Sequence, residues 1–480
     1  MSEKVSGKKI AASLSWKFAE RILAQGVSTL VSIILARLLL PEEYGVVTMV
    51  LVFINIANVF VTSGFGQSLI QDNDAGDLEF STMTYVSVGI SIVLYIILFV
   101  AAPVFADFYN MKQLSPILRV LALKLPLAGY NSIQQAYIQK KMDFRKFFFS
   151  TLGGTIISGV VGCYMAYKGF GCWALVSQYL TNSTIDTLIL AITIGWKPKM
   201  IFSKEKAKKM FSFAWKLTVG DLVGTIYSEL KSLIIGKTYS SADLAYFDKG
   251  EQLPKLVINN INSSVITVLY PAMAKVNDKM DELKELTRTT IRTSSFLLFP
   301  VLVGLCTIAE PFVKLILTDK WLFCVPYLQL ACFSYITVPL SSANLQSLKA
   351  LGRSDIVMRL EIFKKATGLA LVLLAMKFGV MAIAWSGVVY SVIAVVANAS
   401  PNRKLLDYTY REQVMDLFPF AIMSAVMAIF VYLVGQLKIW TVLTLLLQIL
   451  IGAITYLLLA YISKNDIMLR LIDVLKRRNK

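Results

Sequence analysis

Long apolar stretches separated by short polar turns run the length of the chain. They fall at about 14–36, 44–68, 82–105, 114–138, 147–168, 171–195, 211–237, 252–273, 292–318, 325–348, 357–377, 380–399, 414–434 and 438–462. Each is close to the roughly 20 apolar residues that carry a helix across a bilayer. Neither the polar joint Lys197 to Lys209 nor the longest loop, about Lys275 to Arg288, is long enough to hold a soluble domain. The pattern predicts an all-α polytopic membrane protein of about fourteen transmembrane helices. The first stretch follows a basic arm, as a signal peptide would. It is too long for one, holds Glu20 and Arg21, and offers no small-residue cleavage site before Arg37, so it reads as a retained helix.

Composition narrows the class. Of 480 residues, 56% are hydrophobic and 16% charged, whereas soluble domains sit near 45–50% and 25%. A soluble multidomain enzyme, a disordered chain and a disulfide scaffold are excluded. The net charge of +18 would suggest nucleic acid in a soluble protein. Here no soluble basic domain exists to hold it, and the excess reports orientation instead.

With the N-terminus inside, the basic loops alternate. Inside fall Lys4, Lys8, Lys9 and Lys17; Lys140, Lys141, Arg145 and Lys146; the Lys197–Lys209 joint; Lys275 to Arg292; Lys349 to Lys365; Arg403, Lys404 and Arg411; and Lys476, Arg477, Arg478 and Lys480. The opposite loops carry only the singletons Lys112, Lys168, Lys320, Lys377 and Lys438. One loop dissents, because Gln71 to Asp77 is placed inside without a Lys or Arg. Both termini are expected in the cytoplasm of a bacterial inner membrane. The tail puts Ile467, Leu471 and Leu475 on one helical face, a pattern that suits either a helix lying on the inner surface or a solvated tail.

Histidine is absent, which removes the commonest general base and metal ligand. Cys163, Cys172, Cys306, Cys324 and Cys332 lack C-x-x-C spacing and read as apolar fillers. No G-x-S-x-G, P-loop or metal-ligand cluster is present. No cofactor, no metal and no catalytic activity are expected.

A weak repeat appears at an offset of 200. Ile34-Leu35-Ala36-Arg37-Leu38-Leu39-Leu40-Pro41-Glu42-Glu43-Tyr44-Gly45 matches Ile234-Ile235-Gly236-Lys237-Thr238-Tyr239-Ser240-Ser241-Ala242-Asp243-Leu244-Ala245 in having one cation, a short turn holding an acid, and a small residue opening the next helix. Six spans separate the copies, and an even number preserves direction, so the repeats are parallel. This predicts an N-terminal six-helix lobe over 1–200, a C-terminal six-helix lobe over 201–410, and two extra helices with a basic tail over 411–480.

The first copy, continued by Ser63-Gly64-Phe65-Gly66-Gln67-Ser68-Leu69-Ile70-Gln71, resembles the opening of the bacterial Wzx-type polysaccharide flippases of the multidrug/oligosaccharidyl-lipid/polysaccharide (MOP) superfamily, in the branch serving colanic and teichuronic acid export. The resemblance implies a two-lobe fold shared with MATE transporters and lipid II flippases. It implies a cargo of undecaprenyl-pyrophosphate-linked oligosaccharide, a groove for the lipid tail on spans 13 and 14, and polysaccharide polymerase and glycosyltransferase machinery as partners.

Ionisable and amide residues at membrane depth are the candidate site, since each is costly there. Lys124, Asn131, Gln135 and Gln139 share one helical face, as do Gln178, Asn182 and Asp186, and as do Lys255, Asn259, Asn262 and Ser263. Such faces are expected to line a polar cavity between lobes. There the amides would bind sugar, and Lys124, Lys255, Arg21, Arg119 and Lys231 would meet pyrophosphate. Bland readings stand beside these: Arg21 snorkels to the inner surface, Arg119 sits at an outer rim, Arg37 and Lys237 are boundary anchors. Asp221 and Glu229 either couple transport to a cation or merely neutralise Lys216 and Lys231. The sequence therefore predicts a flippase moving a lipid-linked sugar unit outward by alternating access. The rivals are a MATE-type cation-coupled multidrug antiporter and a membrane-embedded polymerase or ligase.

Overall fold

A computed structural model describes residues 7–437, 440–470 and 473, with the side chains of 7–15 and 18 left out. Lys4, Lys438, the tail cations Lys476, Arg477, Arg478 and Lys480, Leu471 and Leu475 of the tail stripe, and the side chains of Lys8 and Lys9 lie outside what is described. The described chain is helical throughout and divides into two compact units, Met1–Ala245 and Tyr246–Lys480.

The first unit holds α1 (Gly7–Leu38), α2 (Pro41–Thr62), α3 (Phe65–Gln71), α4 (Asp77–Phe108), α5 (Leu114–Leu121), α6 (Lys124–Lys141), α7 (Phe144–Tyr167), α8 (Cys172–Thr193), α9 (Lys204–Thr238) and the start of α10 (Ser241–Lys275). The second holds the rest of α10, then α11 (Met280–Thr307), α12 (Ala309–Leu317), a 3₁₀ turn, α13 (Val325–Tyr335), α14 (Val338–Ala350), α15 (Ser354–Ala375), α16 (Val380–Leu405), α17 (Tyr410–Gly435) and α18 (Thr441–Ile462).

Among the described residues every apolar stretch of the sequence falls on helix, and four are broken in two: α2–α3, α5–α6, α11–α12 and α13–α14. At the first break Gly64 takes φ +83° beside the Ala214 backbone, where any side chain would collide. Ten described stretches are long and apolar enough to cross a membrane. The expected spans that fall short are α5–α6, α8, α9 and α15. On α4 the residues Val93, Ile97, Val100 and Val104 are 54–69% exposed along one stripe. A face of that kind is stable only against lipid. The protein is a multi-pass membrane protein.

The offset of 200 reappears in the helix ends. α1 and α9 end at Leu38 and Thr238, and α2 and α10 begin at Pro41 and Ser241. In both turns the acid noted in the sequence caps the following helix. Leu40 N donates to Glu43 Oε2 (2.7 Å), and Ser240 N donates to Asp243 Oδ2 (3.2 Å). In the second copy Ser240 Oγ also accepts from Asp243 N (3.1 Å), completing a reciprocal capping box. Gly45, the small residue of the first copy, lies against the Ser241 carbonyl so closely that no Cβ fits.

Loops assigned to the same side by charge alternation meet within each unit. In the first, Lys17 sits 4.7 Å over the Phe147 ring and Arg145 5.8 Å over Trp16. The dissenting 71–77 loop borrows its cations from neighbours: Lys140 Nζ donates to the carbonyls of Asp72 (2.7 Å) and Ala75 (2.9 Å), Lys199 pairs with Asp77 (2.5 Å), and Lys206 pairs with Glu79 (2.9 Å). On the opposite side Lys237 donates to the Phe108 carbonyl. In the second unit, Lys284 pairs with Glu412 (3.1 Å) and Arg292 with Asp466 (3.0 Å). Asp416, 2% exposed, accepts from Arg288 (2.8 Å) and from Tyr408 Oη (2.8 Å) and lies 3.5 Å from Arg292. Asn344, Asn402, Ser347 and Gln413 continue this into a buried hydrogen-bonded cluster joining α14, α16 and α17.

Candidate substrate cavity

α7 brings α8 close through small residues. Gly162 has the Gln178 side chain 2.7 Å from where a Cβ would lie, and Gly154 has the Asn182 carbonyl at 3.2 Å. This fixes the roll of α8 and turns Asn182, Ser183, Asp186 and Thr187 toward α6. A cavity of about 360 Å³ opens there, lined also by Asn58 and Thr62 of α2, Gly66, Gln67 and Ile70 of α3, and Asn131, Ser132, Gln135 and Gln139 of α6. Six of these side chains are amides, four are hydroxyls and one is a carboxylate; the lining contains no Lys or Arg.

The wall is cross-linked. Asn131 Nδ2 donates to Asp186 Oδ2 (3.0 Å) and lies 3.3 Å from Thr187 Oγ1, while Gln135 Nε2 donates to Asn131 Oδ1 (2.6 Å). Asn182 Nδ2 donates to Ser158 Oγ of α7 (3.4 Å). Two lining oxygens, Asp186 Oδ1 and Asn58 Oδ1, are buried without a hydrogen-bond partner. Ser150 Oγ is within hydrogen-bonding reach of both the Asp186 carboxylate and the Phe147 carbonyl (3.2 Å), so its one proton serves two acceptors. Buried acceptors of this kind are expensive unless a ligand or water supplies donors.

Of the residues singled out from sequence, the structure brings Asn131, Gln135 and Asn182 together here, with Gln139 and Asp186 of the same two faces. Lys124 opens α6 on the same stripe, seven residues before Asn131 and so about 10 Å along the axis; it is half-buried, with Nζ 5.6 Å from the Tyr179 ring centroid. Arg119 donates to the Phe99 carbonyl (3.1 Å) and covers the Phe99 ring. Arg21 is exposed on α1 and Asp221 on α9, whereas Glu229 accepts from Asn55 Nδ2 (3.1 Å) and Lys231 is half-buried on α9. In the second unit Lys255 and Asn259 are exposed on α10, and Asn262 donates to Ser342 Oγ (3.0 Å).

Asn58, Gln67, Ser132, Ser183 and Thr187 were missed. Asn58 and Thr62 stand four apart on α2, a signal weaker than the amide rows of α6 and α8. Three buried charges also escaped notice: Asp416, Glu79 of α4, and Lys249 of α10, which is 9% exposed and donates to Gln252 Oε1 (3.1 Å).

The second unit holds a different cavity, about 560 Å³, lined by Phe296, Pro300, Gly304 and Leu305 of α11, Met427 and Val431 of α17, and Ile449, Gly452 and Tyr456 of α18 among others. Only Gln448 adds an amide, and its Nε2 is spent on the Val431 carbonyl (2.9 Å).

A multi-pass helical bundle with an amide-walled and an apolar cavity has a fold that solved membrane transporters share. The lipid II flippase MurJ in its inward closed conformation superimposes with a TM-score of 0.78, at 15% identity, covering 95% of this chain and 100% of that one. An inward-facing multidrug resistance MATE family transporter of the MOP superfamily gives 0.64 at 14% identity over 81% and 99%. Residues 34–326 match the family described as polysaccharide biosynthesis protein, and the chain belongs to that family. Among its relatives, the teichuronic acid biosynthesis protein TuaB of Bacillus subtilis is 27% identical over 77% of each chain. The lipopolysaccharide biosynthesis protein WzxC of Escherichia coli is 24% identical over 74% of this chain and 73% of its own. The succinoglycan biosynthesis transport protein ExoT of Rhizobium meliloti is 20% identical over 100% and 98%.

Proposed function

We propose that this protein is a flippase carrying a polyprenyl-pyrophosphate-linked oligosaccharide from the cytoplasmic to the outer leaflet of a bacterial inner membrane, for cell-surface polysaccharide assembly. The observation that carries the reading is the amide- and hydroxyl-walled cavity buried among lipid-facing helices. Its under-satisfied acceptors, Asn58 Oδ1 foremost, call for a ligand dense in hydroxyl donors, which is what a sugar provides. The family and the relatives' names support the same cargo. The role is transport rather than catalysis.

In this reading the sugars meet Asn131, Gln135, Asn182 and Asp186, and the pyrophosphate meets Lys124 further along the α6 stripe. Lys255, Asn259, Asn262, Arg21, Arg119 and Lys231 serve other stages of the passage, with Asp221 and Glu229 as coupling groups. The apolar cavity of α11, α17 and α18 takes the undecaprenyl tail. The halves 1–200 and 201–410 alternate in access, 411–480 supplies the tail groove, both termini face the cytoplasm, and the cargo comes from glycosyltransferases and passes to a polymerase. Reconstitution tests this: undecaprenyl-pyrophosphate-linked oligosaccharide placed in proteoliposomes should become protein-dependently accessible to external periodate. No gain over empty liposomes would reject the flippase.

One observation favours a second reading. A cavity with a lone carboxylate and no cation also suits a MATE-type antiporter of organic cations. Ethidium efflux from the same liposomes, driven by a sodium or proton gradient, would establish that alternative.

A further inference from the structure

The joint leading into α9 is held in an unusual way. Residues 194–203 do not leave the bundle; they fold back along the first turns of α4. Trp196 Nε1 donates to Asp77 Oδ1 (3.0 Å), Lys199 N to Ser81 Oγ (2.9 Å), and Ser203 N to Thr82 Oγ1 (3.1 Å). Tyr85 Oη donates to the Lys199 carbonyl (3.0 Å). Tyr85 lies eight residues into α4, about 12 Å along its axis, so the segment runs alongside the first two turns of that apolar helix. Trp196 is stacked on Tyr137 (5.4 Å between centroids), which locks the turn further.

This pinning holds an apolar tip outward. Met200 is fully exposed (100%), Phe202 58% and Ile201 38%. Lys197 precedes the tip, Lys204 and Lys208 follow it, and all three are exposed. The exposed stripe continues down α9 through Phe211 (48%) and Trp215 (48%). A rigid loop spends free energy to keep three adjacent large apolar side chains away from the protein, and lysines bracket them. Apolar insertion flanked by cations matches one surface, an anionic bilayer interface.

We propose that the 197–208 segment is a leaflet anchor: Met200, Ile201 and Phe202 enter the upper acyl region while Lys197, Lys204 and Lys208 bind anionic phospholipid head groups. This assignment does not depend on which cargo is carried.

A nitroxide on Met200→Cys in the full chain, in nanodiscs of phosphatidylcholine and phosphatidylglycerol, tests the depth, with wild-type labelling subtracted. Asp74→Cys on the neighbouring polar turn serves as the water reference. Oxygen relaxation should exceed nickel-chelate relaxation at 200 and fall below it at 74. Chelate-dominated relaxation at 200 overturns the anchor, and so does protection from both reagents, which would mean a protein covers the tip. Spin-labelled phosphatidylglycerol should associate at least about twofold more strongly than the phosphatidylcholine analogue, and K197A/K204A/K208A should remove the preference. Equal association of the two lipids with the unaltered protein overturns the head-group contacts.

Discussion

The cavities of the two units are built in similar helical surroundings and lined in opposite ways. In the first, two helices too polar to qualify as spans by hydropathy, α6 and α8, face each other and hydrogen-bond through Asn131 and Asp186 (3.0 Å). In the second, α17 and α18 are among the apolar helices, and their shared wall is Met427, Val431, Ile449, Gly452 and Tyr456. The difference teaches that hydropathy marks where a helix faces lipid or apolar cargo, while departures from it mark where a helix faces water or sugar. A flippase of the kind proposed above would use both kinds of wall, one for each half of an amphipathic lipid.

The comparison can be broken at several points. The largest effect is expected from N131L/D186L together. Replacing both partners avoids a stranded carboxylate, so the fold should survive, while flipping in proteoliposomes should fall about tenfold or more, as loss of one or two ligand hydrogen bonds implies. Normal flipping by this variant would remove the first cavity from the pathway. Asp416→Ala should destabilise the second unit by about 3 kcal/mol, because Arg288 and Arg292 lose their buried partner; an unchanged thermal melt in detergent would contradict the network's weight.

Gly304→Leu sharpens the other side. The added Cβ would lie 3.6 Å from the Met427 methyl, so the side chain has room to fill the apolar cavity. Flipping of a full-length polyprenyl cargo should drop about threefold, in line with the cost of overfilling an apolar site, and a short-chain analogue should be spared. Equal loss for both chain lengths would dissociate that cavity from the tail. Lys124→Ala should lower flipping about threefold and Lys124→Arg should restore it, since charge at that position is what the phosphate requires; failure of Arg to rescue would point to packing on Tyr179. The smallest effects fall on the repeat: Glu43→Ala and Asp243→Ala should each cost about 1 kcal/mol as lost caps, with Asp243 the larger because its carboxylate accepts from both Ser240 N (3.2 Å) and Ser240 Oγ (2.7 Å).

Much of the frame was legible beforehand. Apolar stretches of membrane length located the helices, because a backbone in lipid has few other ways to satisfy its hydrogen bonds. The acids of the two turns were visible at positions 43 and 243, although their role as caps was not. The amide rows of α6 and α8 announced a polar lining because residues four apart share a face. Asn58 and Gln67 were less visible, since neither α2 nor α3 carries three polar residues at successive four-residue steps, as α6 and α8 do. Lys249 and Asp416 were missed for a related reason: near a helix end a charge reads as solvated, and burial depends on neighbours distant in sequence.

The amino-acid sequence by itself determined that this chain crosses a membrane many times, that its helix ends recur at an offset of 200, and that its cations gather in alternate loops. Those properties follow from the periodicity and transfer cost of single residues. Which polar faces meet was decided only in three dimensions. Close helix approach at Gly154 and Gly162 sets the roll of α8, and a turn borrowing lysines from distant segments is neutral only once the chain has folded. Transfer free energies add residue by residue along a helix, whereas a cavity exists only when several helices turn the same kind of face toward one point.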